Sequence, residues 1–136
     1  EKHHLSIDCD CRHDNVNLHK YGNNQPPFWE IKPANEDSKK NLYTVKAKCR
    51  NCNNDKYLSG SCGCDHNNVN LWYGNVEWEI EPVPSSAEAD LYTLKLPCRS
   101  CDRKLLSANA DCTNENVYLS HDEMTWKIKK VQLASW

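Results

Sequence analysis

The sequence predicts an all-β fold of three repeated units, and three observations carry that prediction. The segment Lys56-Tyr-Leu-Ser-Gly, Asn68-Val-Asn-Leu-Trp, Glu77-Trp-Glu-Ile-Glu-Pro82 occurs three times with variation. Trp29, Trp78 and Trp126 recur at a period of about 48 residues, longer than ankyrin or leucine-rich repeats. Apolar residues alternate over short runs set between Asn, Asp, Pro and Gly clusters, with no amphipathic helix pattern among them.

The elements follow in order. The first unit reads His4-Leu-Ser-Ile7, Asn15-Val-Asn-Leu18 and Phe28-Trp-Glu-Ile-Lys-Pro33. The second opens with Leu42-Tyr-Thr-Val-Lys-Ala47 and continues through the three segments quoted above. The third has Leu91-Tyr-Thr-Leu-Lys-Leu96, Leu105-Leu-Ser-Ala108, Asn116-Val-Tyr-Leu119 and Thr125-Trp-Lys-Ile-Lys129. Within strands, Val16 and Leu18, Val69 and Leu71, and Val117 and Leu119 share one face. Four strands per complete unit give twelve, the count of a β-trefoil: a six-stranded barrel capped by three hairpins. The expectation is one such domain over residues 1–136, with repeats near 1–40, 41–89 and 90–136. Trp29, Trp78, Trp126, Ile31, Ile80, Ile128, Leu5, Leu58 and Leu106 are the predicted core.

The Leu-Tyr-Thr run occurs only twice, so eleven strands are readable and one is missing at the chain ends. Such a barrel exposes unpaired edges. The expectation is a processed chain whose twelfth strand comes from a removed N-terminal segment, or from a second polypeptide or oligomer partner. The C-terminal Val131-Gln-Leu-Ala-Ser-Trp136 is an imperfect alternative.

Composition narrows the function classes. Seventeen basic and nineteen acidic residues are interspersed, with a net charge of −2, so nothing favours nucleic acid or an anionic membrane. Only 38% of the chain is apolar, and no run approaches the ~20 residues that span a bilayer. No nucleophile–base arrangement, phosphate loop or catalytic carboxylate pair stands out, so no enzyme and no cofactor is expected.

Nine cysteines point to an oxidising, extracellular compartment, although no Asn-x-Ser/Thr sequon accompanies them. They are Cys9, Cys11, Cys49, Cys52, Cys62, Cys64, Cys98, Cys101 and Cys112. Disulfides are the expectation, with Cys49 or Cys52 joined to Cys62 or Cys64. Tetrahedral zinc on the four thiolates of the second repeat, and free thiols, are the alternatives. The uneven thinning of cysteines across the repeats argues against a structural metal in every lobe.

Trefoil ligands sit in shallow sites around the loop before the third strand and the hairpin after it. The candidate sugar-binding residues are Asp8, His13, Asn15, His19, Tyr21, Asp65, His66, Asn68, Trp72, Asn75, Asn116 and His121. Amides and carboxylates fix hydroxyls, while an aromatic face covers the apolar side of a sugar ring. Trp72 breaks the repeat, since His19 and Ser120 stand at its counterparts. It is expected to face outward just beyond its strand.

The cadence Leu-Ser, Asn-Val-x-Leu, Trp-x-Ile resembles the β-trefoil superfamily over essentially the whole chain. Val69-Asn-Leu-Trp72 looks like the strand-three segment of ricin-B-type lectins, whose aromatic stacks on galactose. The Gln-x-Trp signature of that family is replaced by Pro27-Phe-Trp29, Val76-Glu-Trp78 and Met124-Thr-Trp126. The cadence is also similar to fascin-like trefoils, and the cysteine-rich style to trefoil lectins of marine invertebrates. The resemblance implies a secreted lectin for galactose or N-acetylgalactosamine glycans on glycoproteins. An actin- or protein-binding trefoil and a protease inhibitor are the other readings.

Overall fold

The computed structural model describes residues 3–7, 15–20, 28–34, 41–47, 56–63, 67–74, 76–84, 87–98, 101, 104–108 and 116–129. Among these residues the protein is all β, with eleven strands. They are β1 (His3–Ile7), β2 (Val16–Lys20), β3 (Trp29–Pro33), β4 (Leu42–Ala47), β5 (Lys56–Gly60) and β6 (Val69–Trp72). β7 (Glu77–Pro82), β8 (Leu91–Leu96), β9 (Lys104–Ala108), β10 (Val117–Ser120) and β11 (Trp126–Lys127) follow. Each is short because turn residues bound it, and β3 and β7 both end on a proline that cannot extend a ladder as donor.

Among the described residues every strand pairing is antiparallel. Three hairpins recur: β1 with β2, β5 with β6, and β9 with β10. The two Leu-Tyr-Thr strands act as hubs. β4 pairs with β3, β5 and β7, and β8 pairs with β7, β9 and β11. Matching sequence gives matching register: Ile31 faces Val45 as Ile80 faces Leu94, and Pro33 faces Tyr43 as Pro82 faces Tyr92. The outward charges repeat as well, with Lys46 at 3.5 Å from Glu30 and Lys95 at 3.7 Å from Glu79 across their strands.

Side-chain alternation then builds the core. Trp78 and Leu58 are wholly buried, and Leu71, Leu106, Leu119, Val45, Leu94, Leu96 and Ile80 join them. The indole N–H groups meet the backbone in one manner at three places. Trp29 donates to Leu5 O at 3.1 Å, Trp78 to Leu58 O at 2.8 Å, and Trp126 to Leu106 O at 2.9 Å. Each such bond satisfies a polar handle on a large apolar side chain that packs inward.

Two expectations need correction. Leu5, Trp29, Ile31, Trp126 and Ile128 are packed against the core but only half-buried. Trp78 lies on β7, which is flanked by both β4 and β8, whereas β3 pairs with β4 alone and β11 with β8 alone among the described residues. The second correction concerns Cys62, expected to pair with Cys49 or Cys52. It is bonded to Cys98, 36 residues on, linking the end of β5 to the end of β8 rather than closing a local turn. The reason is the hub role of β8: it carries Cys98 to the start of β9, whose Lys104 Nζ donates to Gly63 O at 2.8 Å. Cys101 is also disulfide-bonded, and its sulfur lies 3.4 Å from Cys62 O. Cys9, Cys11, Cys49, Cys52, Cys64 and Cys112 lie outside the described residues.

Candidate functional site

Trp72 closes β6 opposite Tyr57 of β5. Alternation puts Leu71 inward, 1% exposed, and turns Trp72 outward, 57% exposed. Tyr73, in the bend that follows, is 53% exposed. The two rings sit 6.4 Å apart between centroids and are tilted by 52°. Gly74 gives the bend its room: a Cβ there would come within 3.2 Å of the indole Cδ1 and Nε1 atoms.

The third member is Lys56, the first residue of β5, which is buried to 6% exposure. Its ammonium lies 5.3 Å from the centroid of the Tyr73 ring, within cation–π range. A cation over one face of the phenol favours this ring orientation. An aromatic pair left in water is informative because folding normally buries such surface. The chemistry available is an apolar platform with an indole N–H and a phenol O–H at its edge. Tyr73 and Lys56 were absent from the candidate residues read from sequence. Tyr73 was legible as the neighbour of Trp72; Lys56 was not, because its proximity depends on the pairing of β5 with β6.

The other candidates divide into three groups. Asn15, Asn68 and Asn116 are exposed and lie together at the junction of the three hairpins. Backbone bridges join Asn15 to Asn70, Asn17 to Asn116 and Asn68 to Tyr118. These residues do not reach Trp72, which stands four residues along the strand from Asn68, roughly 13 Å at strand rise. His19 on β2 and His121 after β10 are exposed. Asp8, His13, Tyr21, Asp65, His66 and Asn75 lie outside the described residues.

The sulfurs of Cys62, Cys98 and Cys101 are engaged in disulfides, which removes them as thiolate ligands for zinc. Among the described residues no group of three or more His, Cys, Asp or Glu comes together, and no helix is long and apolar enough to cross a membrane. Comparison with protein-family models, with curated proteins and with solved structures found no match to this chain.

Proposed function

We propose that the protein is a β-trefoil lectin that holds galactose or N-acetylgalactosamine-type glycans of glycoproteins. The single observation that carries this reading is the outward Trp72–Tyr73 pair with Lys56 behind it. A galactose ring presents one apolar face and several hydroxyls, and an exposed indole beside polar groups suits that face.

The trefoil reading rests on recurrence: two hub strands with equivalent partners, three equivalent indole–carbonyl bonds, and three hairpins bridged to one another. It also calls for a strand between β11 and β3, the counterpart of β4 and β8. Half-burial of Trp29, Trp126 and Leu5 fits such a place. Disulfides at Cys62, Cys98 and Cys101 support an extracellular site of action and weigh against a cytosolic actin-binding role.

The test is calorimetric titration of the oxidised chain with methyl galactoside and with N-acetylgalactosamine. The proposal expects weak, saturable binding, and Trp72→Ala removes the share of it that the Trp72 surface contributes while leaving the fold intact. Absence of binding to either sugar would remove it.

A further inference from the structure

The hairpin junction carries a second, unassigned set of side chains. Each of β2, β6 and β10, with the residue just before it, contributes two residues spaced by two on the face opposite its core residues: Asn15 and Asn17, Asn68 and Asn70, Asn116 and Tyr118. The three bridges close these pairs into a ring, in which each hairpin touches both others. Beneath the ring, Val16 and Val117 are 8% exposed, and Leu18, Leu71 and Leu119 are 3% or less, so the backbone stands on packed core. Leu119 N donates to Asn67 O at 3.0 Å, and Ser61 N to Asn68 O at 3.2 Å, which fixes the ring further.

The residue types are out of keeping with their positions. Turn chemistry accounts for Asn15, Asn68 and Asn116, which enter the strands. It does not account for Asn17 and Asn70, which lie inside strands, where asparagine is disfavoured relative to threonine or valine. Departures from local propensity in a structured element are expected at functional sites. Asn15, Asn68, Asn70 and Asn116 are exposed and Asn17 is half-buried, so amide donors and acceptors line the surface of the junction. The ring bears no formal charge, and its only aromatic is Tyr118, 37% exposed.

We infer that this ring is a single axial binding site for a neutral saccharide, centred on the hairpin junction rather than on Trp72. The inference rests on the lectin reading and deepens it. Uncharged amides that both donate and accept match vicinal hydroxyls without selecting for an anion. One wall of the ring is aromatic, which supplies the apolar face that five amides lack. Because all three hairpins contribute, the site is one per molecule rather than one per repeat. The candidates Asn15, Asn68 and Asn116 then belong to a shared centre, and Trp72 to a peripheral site.

The experiment is a nuclear magnetic resonance titration of the oxidised, 15N-labelled chain with methyl galactoside and with N-acetylgalactosamine. It follows the asparagine side-chain amide signals and the Trp72 indole signal together. The expected result is saturable movement of the Asn17 and Asn116 amide signals, lost in Tyr118→Ala and unchanged in Trp72→Ala. Asn17→Thr and Asn70→Thr keep strand-forming residues, and each should weaken axial binding by about five- to tenfold, the factor for one or two hydrogen bonds. Dispersion of the backbone signals reports that each variant is folded. Movement of the Trp72 indole with static axial amides would overturn this inference alone. Static signals at both places would overturn it together with the lectin reading.

Discussion

Tryptophan serves different ends at different positions in this chain. Trp78 is wholly buried and its N–H is bonded to Leu58 O, so truncation loses packing and strands a carbonyl at once. Trp78→Ala should cost about 3–5 kcal/mol in urea unfolding, and Trp126→Ala, made at a half-buried counterpart, distinctly less. Trp72 is 57% exposed, and Trp72→Ala should shift stability by no more than about 0.5 kcal/mol while removing sugar binding at its own surface. Equal losses of stability at Trp72 and Trp78 would contradict this division. Glu81 offers a pH test. A hydrogen bond to the Glu79 side chain, then the Glu79 charge and a little burial, raise its pKa above the ordinary 4.5, against the opposing pull of Lys95. The shared proton therefore stabilises the fold below that ordinary value, and the contribution is lost as pH rises through the raised one. Glu81→Gln should unfold at higher urea than the parent at neutral pH, and the difference should shrink on acidification toward 4.5.

At the scale of elements, the hairpins are held by close approach and by cross-links. A Cβ on Gly60 would meet Leu119 Cδ1 at 3.0 Å and Leu96 Cδ2 at 3.2 Å, so β5 and β10 touch through a glycine. Gly60→Ala should destabilise by about 1–3 kcal/mol, the usual cost of overpacking, and should also disturb the hairpin junction. Closing a 36-residue loop, the Cys62–Cys98 bond should contribute about 4 kcal/mol, read as the loss in Cys62→Ser, Cys98→Ser. Alternation made the strands legible in the sequence: Leu42–Ala47 and Leu91–Leu96 were expected as strands and are β4 and β8. The partner of Cys62 was not legible. Proximity of Cys98 arises from the crossing of β8 beside β9, and spacing along the chain carries no trace of it.

For the whole molecule, repetition made the recurring contacts readable, while departure from repetition marks the candidate sites. Trp72 could be singled out because its counterparts are His19 and Ser120. The gathering of Asn15, Asn68 and Asn116 could not, since only the mutual bridging of three hairpins brings distant loops to one place. The most direct test of the central claim is a glycan array probed with the oxidised chain beside its Trp72→Ala variant. The account predicts binding to galactose- or N-acetylgalactosamine-terminated glycans, competed by the free sugar, and a signal at least about tenfold weaker for the variant. Binding to no glycan, or equal binding by both proteins, would contradict it.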